Sequence, residues 1–538
     1  MTDRYVRQER RSAAPTQTRG SHSKRTIFRR TVFMMVVCGV LMFIPLGWKL
    51  WNIAIVHHDE YQLKASNQQT LDMSVSASRG NIYDRNGNVM AMSATVYNLI
   101  LSPNDLVKSV PTEDEEGNEL SDSLYDAAVS AKQEQVKRDL MALIPTLDEE
   151  KLDTQIHATK YSYREVKTNI EEEDAEAIRE YISENKTSAY LYLIPSTKRY
   201  YPYSSLAAQA LGFVNADGGA YGIEAKYNDL LEGTSGRVVT TKTGNGVEMF
   251  NTYSEYIDAQ DGYDVTLTID ATIQSYLEKG LESMIDKFDA ANGATGIVMD
   301  VNTGAIVAMA SYPNYDLNEP GVVRDEALQK KLDKTLADLA GKQSEYETEE
   351  EYNEAVSKAK SEAMNTQWRN KCIDSTYEPG STFKPITLAI ALEEGVVSKS
   401  STFSCSGAVS IEGWTLRCSK KTGHGSQSLV EAVGNSCNPA FINIGLRVGT
   451  EKYYEYLQAF GLMEKTGVDM VGEVAGIFTD PDTFNSHQIS LASYSFGQTF
   501  NVTPLELIRA QAACINGGYL YTPYVVEQEL DSDGNVIY

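Results

Sequence analysis

The sequence predicts an α+β fold carried outside a membrane on a single N-terminal helix, and three stretches carry that prediction. Thr31 to Trp48 is an eighteen-residue run without a charge. Asp264-Val-Thr-Leu-Thr-Ile-Asp270 alternates as a half-buried strand does and leads straight into a helical pattern from Gln274 to Ile285. Ile386-Thr-Leu-Ala-Ile-Ala-Leu392 is apolar on nearly every face, the signature of a buried helix. With 538 residues the chain has room for two or three domains.

Charge separates the first thirty residues from the rest. They carry nine Arg/Lys against two acids, although the whole chain has a formal net charge of -26. Residues 1–30 therefore read as a basic, disordered cytoplasmic tail. The acidic remainder argues against nucleic acid as a partner. The uncharged run is long enough to cross about 27 Å of hydrocarbon at 1.5 Å per residue. Arg29 and Arg30 precede it and Trp48 and Trp51 close it, as positive-inside and interfacial aromatic preferences require. Residues 31–56 are thus expected to form a single-pass anchor, with the N-terminus cytoplasmic and everything downstream outside. A cleaved signal peptide would need a shorter basic region and a small-x-small cleavage site, which does not follow.

Beyond the anchor, Ser78-Arg-Gly-Asn-Ile-Tyr-Asp-Arg-Asn-Gly-Asn-Val-Met-Ala91 has the pattern of a strand, a tight Asn-Gly turn and a second strand. Arg79, Asp84 and Arg85 are candidates for a charge cluster there, against the simpler reading of a solvated hairpin. Helical stretches follow at Leu124 to Leu143 and Glu171 to Ser183, then a short glycine-bounded helix between Gly222 and Gly233. The texture changes around Asp261-Gly262, which places a domain boundary near residue 258: a pedestal over 57–257 and a second domain over 258–538. Ala294 to Val301 and Ala305 to Ser311 are two apolar strands about an Asn302-Thr303-Gly304 turn. Residues 321–365 are a Lys/Glu-rich helical insertion with no chemistry to propose.

The chemical centre of the sequence is Tyr377-Glu-Pro-Gly-Ser-Thr-Phe-Lys-Pro385. Pro379-Gly380 marks a turn. A helix beginning near Thr382 places Pro385 where its missing N–H costs little. Ser381 and Lys384 then share a face, and a desolvated lysine can take the serine proton without any histidine. Ser-x-x-Lys is weak alone, since it also occurs at Ser21/Lys24, Ser183/Lys186 and Ser357/Lys360, none of which opens a buried helix after a Pro-Gly turn. Ser436-Cys437-Asn438, in a loop between two helical stretches, offers a second hydroxyl to relay a proton and an amide to hold a peptide-like backbone. Six cysteines contain no Cys-x-x-Cys pair and there are six histidines, so the spacing makes a zinc site improbable. Cys405 and Cys418 flank an Ile411-Glu-Gly-Trp414 turn; a disulfide and free buried thiols both fit.

Taken in order, Tyr377 to Lys384, Gly423-His424-Gly425, Asn435-Ser436-Cys437-Asn438 and Phe496-Gly497-Gln498 with Val502-Thr503-Pro504-Leu505 resemble the transpeptidase domain of the class B penicillin-binding proteins. The anchor, the Arg79-Gly80…Asp84-Arg85-Asn86-Gly87 segment and the Gly222 region resemble that family's non-catalytic pedestal, so the similarity runs over about residues 30–538. The resemblance implies the penicillin-recognising serine-enzyme fold, a central antiparallel sheet with helices on both faces, behind an elongated α+β pedestal domain and one transmembrane helix. It implies peptidoglycan cross-linking through a Ser381 acyl-enzyme, with Lys384 as base, Ser436 as proton relay, Asn438 as a substrate-positioning group and the Ser381 N–H as an oxyanion donor. No cofactor or metal is implied. The implied partners are peptidoglycan stem peptides, lipid-linked precursors, β-lactams and a membrane glycosyltransferase. A D,D-carboxypeptidase, a penicillin-binding sensor and a non-catalytic cell-wall scaffold are the competing readings. The family's third motif, Lys-Thr-Gly, occurs at Lys242, Lys421 and Lys465 but never in the expected place, a sheet-edge strand well beyond Phe496-Gly497-Gln498. The expectation from this resemblance is a C-terminally truncated transpeptidase domain.

Overall fold

The computed structural model of the protein describes residues 21–52, 55, 70–75, 77–113, 116–241 and 255–538. Most of the basic tail and Lys242-Thr243-Gly244 lie outside the described residues. The chain divides into two compact units, residues 1–73 with 238–256 and residues 74–237 with 257–538. The first holds a helix, Ser21–Trp51, and most of a three-stranded sheet made of Thr70–Val75, Gly236–Thr241 and Glu255–Ile257 in that order. The uncharged run falls inside that continuous helix, with Phe33, Met34, Met35 and Phe43 exposed. Several of its side chains lie outside the described residues, and among the described residues no helix is long and apolar enough to cross a membrane.

The second unit begins with the anticipated hairpin, β1 (Ile82–Tyr83) and β2 (Val89–Leu101). Its Asn-Gly turn is organised by Asp84, a fully buried carboxylate that accepts from the backbone N–H groups of Asn86 and Asn88 at 2.8 Å and of Ala271 at 3.1 Å. β2 continues between β3 (Arg164–Ile170) and β4 (Leu191–Tyr200), both antiparallel to it. Helices α1 (Asp122–Leu143) and α2 (Glu172–Glu184) match their periodicity. The Gly222 region forms two short helices, Gly222–Lys226 and Asn228–Leu231.

Past residue 258, β5 (Asp264–Leu267) pairs parallel with β1 and antiparallel with β12 (Val526–Leu530), near the end of the chain. One sheet, in the order β12-β5-β1-β2-β3, therefore draws strands from both sequence halves. The buried cluster beneath it is equally mixed, with Ile82, Met90 and Leu231 beside Leu267, Met309, Leu505 and Val525. Helix α3 (Ala271–Phe288) follows, capped by Asp270. The two apolar strands are β6 (Thr295–Met299) and β7 (Ile306–Ser311), paired antiparallel and contacted by α3 and by α10 (Pro504–Ala513). Among the described residues these form a two-stranded sheet, joined by a single parallel bridge from Ala305 to Tyr524, just before β12. The large central antiparallel sheet implied by the resemblance is thus represented by two strands, and the six-stranded sheet is a mixed one at the junction of the halves. The charged insertion is a helical pair, α4 (Glu326–Gly341) and α5 (Glu349–Trp368).

Expected as a solvated hairpin, the Arg79 segment is instead buried around a carboxylate. Glu224, with no solvent exposure, accepts from Arg79 Nε and Arg199 Nε, each at 2.7 Å, and from the Tyr201 hydroxyl at 3.2 Å. Arg79 also donates to Asn228 Oδ1 and to the Glu224 carbonyl. Sequence spacing could not pair residues 79 and 224; Arg85, the third expected member, stays exposed. Removing this shared anion strands two buried guanidinium groups. Glu224→Ala is expected to cost about 3–5 kcal/mol of stability, read as a lowered denaturation midpoint, whereas alanine at the exposed Arg85 should stay within about 0.5 kcal/mol.

Candidate active site

The Pro379-Gly380 turn feeds a 3₁₀ turn, Gly380–Phe383, and α6 (Lys384–Glu393) starts immediately after it with Pro385 in its first turn. Residues three apart eclipse in 3₁₀ geometry, which sets the Ser381 and Lys384 side chains one above the other. Helix α6 is held between two buried clusters. Phe383, Ile386 and Ile390 pack with Tyr453, Phe484, Tyr494 and Phe500, and Ala391 packs with Phe403, Cys437 and Phe441. It is less completely enclosed than its composition suggests, since Leu392 is 46% exposed.

Lys384 is almost wholly buried, and its Nζ is the meeting point of all four residues named from the sequence. It lies 3.0 Å from Ser381 Oγ and 2.8 Å from each of Ser436 Oγ, the Ser436 carbonyl and Asn438 Oδ1. The Phe441 ring adds a face 5.4 Å away. Burial pushes the Lys384 pKa down to about 8, with the Cys418 and Cys437 sulfurs acting in the opposite sense. As a neutral amine, the nitrogen can donate to the Ser436 carbonyl and Asn438 while its lone pair faces a serine hydroxyl. Ser381 itself is exposed at the surface, where a substrate has access. Ser436 and Asn438 come from the turn between α7 (Leu429–Gly434) and α8 (Asn438–Val448). Ser436 sits at φ +48°, a left-handed conformation uncommon for serine. Such strain persists only where the surroundings impose it. Asn438 is fixed from behind, its Nδ2 donating to the Arg417 carbonyl at 3.0 Å.

This constellation has close relatives. Residues 294–536 match the penicillin binding protein transpeptidase domain, and residues 74–267 match the penicillin-binding protein dimerisation domain. The chain is 30% identical to stage V sporulation protein D of Bacillus subtilis, over 95% of this chain and 68% of that protein. It is 24% identical to the peptidoglycan D,D-transpeptidase MrdA of Escherichia coli K12, over 92% of this chain and 72% of that protein. The chain belongs to the class B penicillin-binding proteins. Its fold is also that of penicillin-binding protein 2X from Streptococcus thermophilus, with TM-score 0.61, 22% identity, and coverage of 87% of this chain and 62% of that one. The PBP2 chain solved in complex with MreC from Helicobacter pylori likewise has TM-score 0.61 at 22% identity, covering 86% and 80%.

The structure explains why Phe496-Gly497-Gln498 accompanies Ser-x-x-Lys in this penicillin-binding protein. Gly380 N–H donates to the Gly497 carbonyl at 2.8 Å, Tyr377 and Val502 exchange two backbone hydrogen bonds at 3.0 Å, and Thr499 N–H donates to Glu378 Oε1. Gly497 has φ +86°, and a Cβ built there would lie 1.9 Å from the Gly380 carbonyl oxygen. That bracing was invisible in the sequence, although two segments each bearing a Pro or Gly turn gave a hint.

Of the Lys-Thr-Gly copies inside the described residues, neither joins Ser381. Lys421-Thr422-Gly423 forms a turn in which Lys421 and Thr422 are exposed and the Gly423 N–H donates to the Lys420 carbonyl. In Lys465-Thr466-Gly467, the Thr466 hydroxyl donates to Glu473 within its own loop. All six cysteines are unpaired, so of the disulfide and the free buried thiols that both fitted Cys405 and Cys418, the free thiols are present. The ligand atoms of Cys405, Cys418, His424 and Cys437 lie within 4.8 Å of one another. The lack of a Cys-x-x-Cys pair had made such a cluster improbable, because its members come from three separate segments: Cys405, the Cys418–His424 loop, and Cys437.

Gly497→Ala should push the Gly380–Ser381 turn aside and slow acylation by a fluorescent penicillin by about 10²-fold, the usual cost of misplacing a reacting group by about 1 Å. Because the ammonium form of Lys384 cannot accept a proton, the acylation rate should climb with pH and level off above an apparent pKa near 8. A rate flat from pH 6 to about 9 would contradict that role.

Proposed function

We infer that this protein cross-links peptidoglycan by D,D-transpeptidation, and the observation that carries the inference is the buried Lys384 nitrogen in contact with Ser381, Ser436 and Asn438. Ser381 Oγ attacks the penultimate D-Ala carbonyl of a stem peptide as Lys384 takes its proton. The Ser381 N–H is one oxyanion donor. The proton passes by way of Ser436 Oγ to the departing terminal D-Ala, and Asn438 aligns the peptide backbone. An amine of a neighbouring stem then resolves the acyl-enzyme. β-Lactams acylate the same serine in place of the stem peptide.

We further propose that Thr31–Trp48 anchors the chain in the membrane and that the pedestal gives way to the transpeptidase domain near residue 258. The support for the anchor is the uncharged eighteen-residue run Thr31 to Trp48 inside a continuous helix, Ser21–Trp51, together with its flanking Arg29, Arg30, Trp48 and Trp51. The reading also expects a membrane glycosyltransferase to supply the lipid-linked glycan strands.

Fluorescent-penicillin labelling tests the chemistry directly. Ser381→Ala should abolish labelling and cross-linked product together, and Lys384→Met should lower the acylation rate by about 10²–10⁴-fold while the folded content, followed by circular dichroism, is retained. Labelling that survives Ser381→Ala would place the acylated residue elsewhere.

A further inference from the structure

Two thin ribbons border the Ser436–Asn438 turn. β8 (Thr402–Cys405) pairs with β11 (Gly425–Ser428), and β9 (Ala408–Ile411) pairs with β10 (Trp414–Arg417). The Arg417 carbonyl, at the end of β10, accepts from Asn438 Nδ2 at 3.0 Å, while Asn438 Oδ1 accepts from Lys384 Nζ at 2.8 Å. The segment that follows, Cys418 to His424, therefore departs from beside the amide that aligns the substrate backbone. It carries Lys420 and Lys421, so a guanidinium and two ammonium groups fall within five residues. All three are exposed.

Charge sets this stretch apart from the rest of the molecule. The chain has 74 Asp and Glu against 48 Lys and Arg, yet Glu431 is the only acid in residues 413–450. Glu431 is committed to the start of α7, where its carboxylate accepts from Ser428 N–H at 2.7 Å and from the Ser428 hydroxyl at 2.9 Å. Glu412, on the other flank, accepts from Gln488 N–H at 3.0 Å at the start of α9 (Gln488–Tyr494). Among the described residues, Arg417, Lys420 and Lys421 make no ion pair. The turn that bears the lysines is also held in place. Gly423 N–H donates to the Lys420 carbonyl at 2.9 Å, and Gly407, at φ +95°, passes so close that a Cβ there would lie 2.1 Å from the Lys421 carbonyl oxygen.

We propose that Arg417, Lys420 and Lys421 form a subsite for a carboxylate of the donor stem peptide outside its D-Ala-D-Ala end, and that they make the enzyme select acidic donors over amidated ones. Given the transpeptidase reading, on which this subsite rests, Asn438 lays the peptide backbone beside Arg417. A guanidinium fork matches a carboxylate with two parallel hydrogen bonds, and two flexible ammonium groups add point charge around it. Three cations that the protein leaves unneutralised create a local positive field on an acidic body, and an anionic ligand gains most from it at low ionic strength. Exposed ion pairs are individually weak, so the subsite supplies selectivity between donors rather than the bulk of their binding.

The test uses the full chain in detergent and two synthetic stem pentapeptides that end in D-Ala-D-Ala and differ only in one upstream glutamyl carboxyl, free in one and a carboxamide in the other. Each peptide's affinity is read from how far it slows labelling of Ser381 by a fluorescent penicillin. The free acid is expected to bind at least about threefold tighter in dilute buffer, with the ratio falling toward one at about 1 M salt. Arg417→Gln and the double variant Lys420→Gln/Lys421→Gln should each lower the ratio, and Lys420→Glu should lower it further than Lys420→Gln. Arg417→Gln keeps the backbone carbonyl on which Asn438 leans, so its changed ratio reports the guanidinium and not the turn. Lys452→Gln, at an exposed lysine on the helix Thr450–Ala459, should leave the ratio unchanged. Equal affinity of the two peptides for the wild-type chain, or a preference that all these variants preserve, would overturn the subsite, while continued labelling of Ser381 would leave the transpeptidase reading standing. Labelling that survives Ser381→Ala would remove that reading instead, and with it the assignment of the anion to a donor peptide.

Discussion

A lysine nitrogen removed from water must find acceptors or lose its charge, and the burial of Lys384 does both at once. Four oxygens within 3.0 Å satisfy it in either protonation state, while desolvation lowers its pKa to about 8. Each of those oxygens belongs to a residue whose own position is fixed elsewhere: Ser381 by the turn before α6, Ser436 by a left-handed backbone, Asn438 by the Arg417 carbonyl. A buried amine thus imposes geometry on two turns and draws from them the environment that makes it a base.

That arrangement needs α6 to be immobile at its N-terminus, and its packing provides this. The helix lies in the seam between two hydrophobic clusters, one aromatic around Tyr494 and Phe500, the other around Phe441 and the buried cysteines. The turn entering it is clamped by backbone hydrogen bonds to Gly497 and Val502 and by the Glu378 carboxylate, which accepts from Thr499 N–H. Side-chain identity matters there chiefly through absence, because only glycine lets the two turns approach so closely.

The pedestal is joined to the same framework. β5 sits between β1 and β12, so strands separated by more than 180 residues share a sheet, and the Glu224 cluster closes the layer from the pedestal side. The change of sequence texture near residue 258 coincides with no break in the contacts, since residues 74–237 and 257–538 form one compact unit.

The sequence by itself determined the local elements and the reacting pair. Periodicity placed the helices and hairpins, and the Pro-Gly turn ahead of an apolar run identified Ser381 and Lys384, because those signals act within a few residues. Segments separated by tens or hundreds of residues were legible only where a family resemblance supplied their order. Tertiary structure alone decided that Arg79 answers to Glu224, that Gly497 braces the nucleophile turn, that the two apolar strands form a two-stranded sheet bridged at Ala305 to Tyr524, and that three cysteines and a histidine meet. Those are contacts between distant segments, fixed by how whole cores pack, and no spacing rule along the chain encodes them.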